Sequence, residues 1–205
     1  RLRTAAAPAT GRLTRIMHLA RENGDGADAS LVEGFVAGDA EAMKTLYAKY
    51  RVEVYSWLVH SLRDAAEAED LYQEAWLKII SSVSHFSGGS FRAWLWRIVR
   101  NLAVDHARKK RPGLSVDDGD GRWMDVADAN VAPPGSGMEE RERRKAVRAA
   151  IDSLPEHERE VVLLRTAGSL EFKEISVLLG IPLNTALARM HRAVARLKAA
   201  LAAIS

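Results

Sequence analysis

The sequence predicts an all-α protein made of two small helical domains joined by a flexible acidic linker, and three observations support this. Apolar residues recur at spacings of three and four before residue 112 and again after residue 137. Segments with the alternating pattern of a β-strand are missing throughout. Between the helical regions, residues 112–137 contain five Gly, three Pro and five Asp against one Arg, a composition typical of a linker.

Composition places the chain among ordinary globular proteins and excludes several other classes. Its 205 residues, 47% hydrophobic and 28% charged, are enough for two small domains or one medium domain. The absence of cysteine excludes disulfides and thiol chemistry. No apolar run approaches the roughly 20 residues needed to span a bilayer, and arginines interrupt the N-terminal region where a signal peptide would lie. The net charge is only +3, but the cations are clustered, so local fields matter more than the total.

Helical periodicity and capping signals divide the chain further. Ser30 is expected to cap the first helix, and Pro155 suits the first turn of the sixth. The predicted helices cover about 30–37, 39–62, 64–83, 91–111, 138–154, 155–166, 170–179 and 183–202. The predicted regions are an N-terminal extension or expression-vector remnant at 1–28, a first domain at 29–111, the linker at 112–137 and a second domain at 138–205.

The predicted fourth helix, FRAWLWRIVRNLAVDHARKKR, combines an apolar stripe with a basic end. It carries seven Lys or Arg and a single acid, Asp105. Trp96 lies off the apolar stripe, on the side that bears two of the arginines. Clustered cations neutralise phosphates and a flat ring stacks on a base, so this helix is a candidate nucleic-acid surface. The alternative is a core helix with a solvated basic end, in which a neighbouring helix covers Trp96.

The last two predicted helices have the spacing of a helix-turn-helix, EFKEISVLLG and LNTALARMHRAVARLK, separated by a short turn at 180–182. We expect Leu187, Met190, Val194, Leu197 and Leu201 to line the apolar face of the final helix. Thr185, Ala188, Arg189, Arg192 and Arg196 fall on the other face. Arginine forks suit phosphates and guanine edges, whereas the alternative is a solvated helix with chance cations.

The predicted third helix carries a different surface. Ala68, Leu71, Tyr72, Ala75, Trp76, Ile79 and Val83 form the expected buried side. Leu77 stands on the opposite side among Asp70, Gln73 and Glu74. An apolar side chain inside a polar rim is typical of a protein-docking surface, although singly exposed leucines are common.

Three motifs in this order resemble the bacterial sigma factors, and more narrowly their extracytoplasmic-function group. They are EAEDLYQEAWLKI at 67–79, FRAWLWRIVRNLAVDHARKK at 91–110, and LPEHEREVVLLR at 154–165 followed by the helix-turn-helix. The resemblance covers about residues 31–201, with the linker matching only in position and character. It implies that residues 29–111 are a four-helix sigma domain two, that residues 138–205 are sigma domain four, and that the chain confers promoter recognition and DNA melting on core RNA polymerase.

The resemblance also implies three sets of site residues. The third helix would bind the clamp of the large polymerase subunit through Asp70, Leu71, Gln73, Glu74, Leu77 and Lys78, with Leu71 acting mainly by holding the helix in place. The downstream promoter element, with one base flipped out of the stack, would contact His85, Phe86, Ser87, Gly88, Gly89, Ser90, Phe91, Arg92, Trp96, Arg97, Arg100, Asn101, Asp105, Arg108, Lys109, Lys110 and Arg111. The upstream element would contact Asn184, Thr185, Ala188, Arg189, Arg192 and Arg196.

The upstream-element helix departs from the family pattern. Asn184, Ala186 and Ala188 stand where Gly, Val and Ser are common, and Glu171 replaces the usual serine that opens the preceding helix. The resemblance therefore implies the groove-binding role of this helix but no particular upstream sequence.

The remaining expectations concern partners and chemistry. The resemblance implies an anti-sigma factor as a further partner and a cytoplasmic, nucleoid-associated location, with no small-molecule substrate and no membrane insertion. No metalloprotease, phosphate-binding or metal-ligand motif is found in the sequence, so we predict no enzyme, metal or cofactor. The alternative function is a free-standing helix-turn-helix regulator whose N-terminal helical domain senses or dimerises.

Overall fold

The computed structural model describes residues 26–62, 64–110 and 138–202, apart from the side chains of residues 138–141 and 144. Within these ranges all regular structure is helical, which confirms the predicted class. Residues 26–36 form α1, followed by α2 (Ala40–Leu62), α3 (Ala65–Ser82), a 3₁₀ turn (Val83–His85), α4 (Phe91–Lys110), α5 (Met138–Asp152), α6 (Glu156–Thr166), α7 (Phe172–Leu179) and α8 (Leu183–Ala202). None of these described helices has the length and apolarity needed to cross a membrane. The predicted linker, Arg111 and residues 1–25 lie outside the described ranges.

Two predicted helix starts differ from the structure. Ser30 lies inside α1, where its hydroxyl donates to the Gly26 carbonyl at 3.2 Å, so its prediction as an N-cap is wrong; a helical serine satisfies its hydroxyl in this way. The helix predicted from residue 170 begins at Phe172 because Leu170 is buried and Glu171 occupies the cap position. In contrast, the Asp64 carboxylate accepts from the amides of Ala66 and Glu67 and confirms the predicted start of α3.

The first domain packs α2, α3 and α4 around fully buried side chains. Leu46, Tyr50, Leu58, Ile79 and Leu95 are among the largest of them. The apolar face of α3 is the predicted one, since Ala68, Leu71, Ala75, Trp76 and Ile79 are all buried. This packing leaves the opposite side of α3 in solvent.

A buried carboxylate fastens α1 to α2. Asp28 accepts from the Lys49 ammonium at 2.5 Å and from the Tyr50 hydroxyl. Burial raises the pKa of Tyr50 well above its ordinary value, and the bond to Asp28 acts in the same direction, so the phenol stays protonated and donates. Asp28, which the predicted boundary assigns to the extension, therefore belongs to the packed domain.

The second domain places α6, α7 and α8 around a small core. Gly180 ends α7 in the left-handed region at φ 66°, as a helix C-terminus favours. Although Glu171 replaces the expected serine, α7 still has a capping box, in which the Glu171 amide donates to the Glu174 carboxylate at 2.7 Å. The second domain also contacts the first, because α6 packs on α2 and α7 on α4.

The buried face of α8 is rotated from the predicted one. Ala186 and Ala193 are fully buried, whereas Leu187 is 42% exposed. The prediction that Leu187 lines the apolar face is therefore wrong. Small alanine side chains let α8 approach α6 and α7 closely, and this turns the neighbouring leucine outward.

Candidate protein and nucleic-acid interfaces

The exposed side of α3 forms a continuous surface of acidic, amide and apolar groups. Asp70, Gln73, Glu74 and Lys78 are all exposed. Leu77 stands among them and is 70% exposed, and an exposed leucine inside a polar rim is the composition of a docking site. Leu71 is buried, as its expected role in holding the helix requires.

One apolar member of this surface was missed from the sequence. Ile80, one turn beyond Leu77, is 42% exposed. Its neighbour Ile79 is fully buried, and the helical pattern assigned only Ile79 to the core, leaving Ile80 without a predicted role. The i, i+3 spacing from Leu77 was the available signal, because residues three apart are neighbours on a helix surface.

The α4 helix presents three faces, and the first belongs to the core of its own domain. Phe91 is fully buried and contacts the rings of Tyr50, Phe86 and Trp94 at centroid distances of 5.5–5.8 Å. The helical pattern predicted Phe91 on the apolar core stripe, whereas the resemblance also assigned it to the downstream-element surface. The structure corrects the second assignment, because the side chain fills the space between Tyr50 of α2 and Phe86 in the loop before α4.

The second face of α4 is open to solvent and polar. Arg97, Asn101, Asp105 and Arg108 are exposed at spacings of four, four and three, so they form one stripe along the helix. Lys109 and Lys110 extend this stripe at its end, where Lys110 also bonds to the Glu67 carboxylate of α3. The structure thus brings together most of the cations predicted for the downstream element.

The loop that precedes α4 lies at the start of the same helix. His85, Ser87, Gly88 and Gly89 are exposed. The two glycines have φ of 98° and 86°, a region that side chains with a Cβ rarely adopt. Phe86 and Ser90 are half-buried, and the Ser90 hydroxyl accepts from the Ala93 amide at 3.3 Å. The loop is therefore a tight, exposed turn that is fixed to α4 at its end.

The third face of α4 contacts the second domain. Trp96 is fully buried, with its ring 5.6 Å from that of Trp57 in an edge-on arrangement. Arg92 bonds to Glu53 at 2.6 Å and Arg100 to Glu160 at 2.8 Å. Of the two alternatives open for Trp96, the structure shows the one in which neighbouring helices cover the indole.

Comparisons with known proteins identify the two helical domains. Residues 46–112 match the family model of Sigma-70 region 2, and residues 144–197 match that of Sigma-70, region 4. The chain is 33% identical over 172 residues to the RNA polymerase sigma-H factor of Pseudomonas aeruginosa, covering 81% of this chain and 89% of that protein. It is equally identical to the ECF RNA polymerase sigma-E factor of Escherichia coli, covering 81% and 90%.

The chain belongs to the extracytoplasmic-function sigma factors of bacterial RNA polymerase. It is also similar in fold to the sigma factor RpoE from Bartonella quintana, solved in complex with the anti-sigma factor NepR, with a TM-score of 0.64 and 23% identity over 79% of this chain and 98% of that one. Family membership makes this protein a promoter-recognition subunit for RNA polymerase, and sigma factors act as regulators rather than as enzymes.

The recognition helix of this sigma factor divides its predicted contact residues into two groups. Asn184 and Ala188 are exposed, and Thr185 and Arg189 are half-buried near the start of α8. Arg192 and Arg196 instead reach back to the buried Glu158 of α6, each with its Nε 3.1 Å from a different carboxylate oxygen. Sequence reasoning missed the exposed Leu187 and His191, which share the outer side of α8 with Asn184 and Ala188.

Proposed function

We propose that this sigma factor binds core RNA polymerase through the exposed side of α3 and contacts promoter DNA through two separate surfaces on α4 and α8. The observation that carries this assignment is the outward side of α3, where a 70% exposed leucine is surrounded by Asp70, Gln73 and Glu74. Apolar side chains of this size gain free energy when a partner covers them. The partner surface that we propose is the clamp of the large polymerase subunit.

The open stripe of α4 supports contact with the downstream promoter element. Arg97, Asn101 and Arg108 offer exposed cationic and amide groups in one line, which suits a phosphate backbone and the edges of unpaired bases. The tight loop at 85–90 supports capture of one extruded base, which costs a few kcal/mol that stacking and hydrogen bonds must offset. We therefore assign DNA melting to this end of the first domain.

The start of α8 supports contact with the upstream element. In a helix-turn-helix, the first residues of the second helix meet base edges in the major groove. Asn184, Thr185, Ala188 and Arg189 occupy that position. Asparagine pairs well with adenine and arginine with guanine, so we assign sequence readout to these side chains.

Further partners follow from the family. An anti-sigma factor is proposed as a partner of this chain, since the fold relative from Bartonella quintana was solved with one. We also propose that the protein performs no bond chemistry of its own and acts in the cytoplasm, on the nucleoid.

Run-off transcription with added core polymerase over a library of promoters tests the proposal. The expected result is initiation at a subset of promoters that share an upstream and a downstream element. Changing Asp70 and Gln73 together to Ala should weaken co-purification with core polymerase. The matched control replaces Glu41 and Lys44, an exposed pair on α2, with Ala and should leave co-purification unchanged. Sequence-specific DNA binding without any stable core complex would instead indicate a free-standing regulator.

A further inference from the structure

The side of α4 that bears Arg92, Trp96 and Arg100 is covered by the second domain of the same chain. The residues that cover it belong to α6, where Glu160 lies, and to the turn between α6 and α7, where Gly168 lies. The Trp96 ring lies against Gly168 in that turn, where a Cβ on the glycine would be 3.1 Å from Trp96 Cε2. The same Cβ would be 2.6 Å from the Leu164 carbonyl oxygen, so the missing side chain lets the turn close after α6 and lie against the indole. We call this contact the α4–α6 interface.

Polar pairs surround the indole on both sides of this interface. Arg92 donates to the Gly168 carbonyl at 3.0 Å and to Glu53 of its own domain at 2.6 Å. On the next turns of α4, Arg100 donates to Glu160 of α6 at 2.8 Å. An aromatic centre with a polar, charged rim has the anatomy of a specific interface.

The interface is also incomplete in one respect. Among the residues that the structure describes, the buried N–H groups of Trp96 and of Trp57, whose ring lies against it, have no hydrogen-bond acceptor. A buried donor without a partner is unfavourable, and it regains a bond to water when the surface opens. Polar interfaces between domains of one chain commonly allow the domains to separate. The α4–α6 interface therefore has the properties of a reversible contact.

We propose that the turn around Gly168 and the Glu160 carboxylate act as an intramolecular ligand for Arg92, Trp96 and Arg100, and that this closed form competes with DNA for the same three side chains. The competition rests on the proposed function, because it takes α4 as the downstream-element surface. Stacking of a base on Trp96 and closure over its ring are mutually exclusive. Closure leaves the outer stripe of Arg97, Asn101 and Arg108 exposed, so it restricts one side of α4 only.

Closure is tested by measuring the distance between the two domains in the full chain. The sequence contains no cysteine, so Ala48→Cys on α2 and Ala199→Cys on α8, both exposed positions, accept a pair of spin labels without background. The labelled protein should show one narrow distance distribution. Glu160→Lys places a second cation beside Arg100 and should shift the distribution to longer and broader distances.

Two further variants separate closure from a general effect of charge. Adding Arg100→Glu to Glu160→Lys restores an opposite pair and should return the narrow distribution. Glu142→Lys makes the same charge change at an exposed position of α5 and should leave the distribution unchanged. Closure would be overturned if the parent protein and Glu160→Lys gave the same distance distribution. It would also be overturned if the double variant with Arg100→Glu did not recover the narrow distribution. None of these measurements needs DNA or polymerase, so they stand independently of promoter recognition.

The competition is tested by the affinity for a short single-stranded oligonucleotide. Since a fraction of closed protein reduces the apparent affinity in proportion, Glu160→Lys should bind several-fold more tightly than Glu142→Lys at the same salt concentration. Addition of the oligonucleotide to the labelled parent protein should also lengthen the distance between the domains. Equal affinities of the two variants, with closure established, would overturn the competition while promoter recognition by the outer stripe remained.

Discussion

The Glu158 carboxylate is 1% exposed and lies 3.1 Å from the Nε of Arg192. Its second oxygen is equally close to the Nε of Arg196. A single buried acid on α6 thus holds two cations of the recognition helix. Because a helix-turn-helix reads DNA only when its second helix has a fixed orientation, this contact connects the stability of the second domain to its binding surface.

Glu158→Gln should destabilise the second domain. The amide keeps the shape of the side chain but loses the charge that faces the two guanidinium groups. Both arginines are more than half exposed and stay solvated without their partner, so we expect a loss of about 1–2 kcal/mol rather than the larger cost of stranding a buried charge. Urea unfolding of the full chain measures it. Glu142→Gln at an exposed site of α5 is the control, and an equal loss in both variants would contradict a role for the ion pairs.

The sequence pattern was sufficient to predict the helices, but it did not predict which residues their side chains contact. The bounds of α8 and the cap at Asp64 follow from local spacing and side-chain chemistry. The Trp57–Trp96 and Glu158–Arg192 contacts join residues 34 or more positions apart, and no local pattern contains that information. A helical wheel of α4 or α8 shows which side chains share a face, but the packing of the neighbouring helix determines whether that face is exposed to solvent.

Arg189→Ala should lower binding to the upstream element in a sequence-dependent way. The Arg189 side chain is half-buried near the start of α8, where the side chains of a recognition helix reach bases. A lost bidentate contact costs about 1–3 kcal/mol at one base position. Fluorescence anisotropy of labelled promoter DNA with the core complex, for cognate and substituted upstream elements, measures the change.

Arg196→Ala is the matched control for that measurement. Its guanidinium is engaged by Glu158, so its loss should affect the stability of the domain more than the choice of sequence. An equal loss of affinity on all DNA sequences for Arg189→Ala would identify Arg189 as a phosphate contact.

Leu71 and Leu77 should respond differently to truncation although they lie on one helix. Leu71 is buried in the first domain and Leu77 is 70% exposed. Leu71→Ala should therefore lower the free energy of unfolding by about 2–5 kcal/mol. Leu77→Ala should leave stability within about 0.5 kcal/mol and weaken the complex with core polymerase instead.

Urea unfolding and a titration of core polymerase, performed on the same two variants, separate these effects. Val52→Ala removes an equally accessible apolar side chain on α2 and should change neither quantity. If Leu77→Ala and Val52→Ala bind core polymerase equally well, the docking assignment of α3 is wrong.

Tyr50→Phe should weaken the attachment of α1. The hydroxyl of Tyr50 donates to Asp28, and its loss leaves that buried carboxylate with Lys49 as its remaining side-chain partner among the described bonds. The expected cost is about 1–3 kcal/mol. Hydrogen exchange of the α1 amides should accelerate along with the loss in global stability. Tyr47→Phe, which removes a bond between the exposed hydroxyls of Tyr47 and Tyr72, should have a much smaller effect on both.

Stability of the second domain should fall at mildly acidic pH because of His157. Burial lowers the pKa of His157, and the positive charge of Arg189 acts in the same direction, followed by Arg192 and Arg196, against the opposing effect of Glu158. The unfolded chain therefore takes up a proton near pH 6.5 that the folded chain takes up only at lower pH. Because the unfolded state binds more protons in that window, the free energy of unfolding decreases as the pH falls from about 7 through the folded pKa.

His157→Gln should remove this part of the decrease, while His191→Gln, at an exposed position of α8, should leave it intact. Urea unfolding at several pH values between 5 and 8 provides the comparison, and parallel profiles for the parent protein and His157→Gln would show that protonation of His157 is not linked to folding.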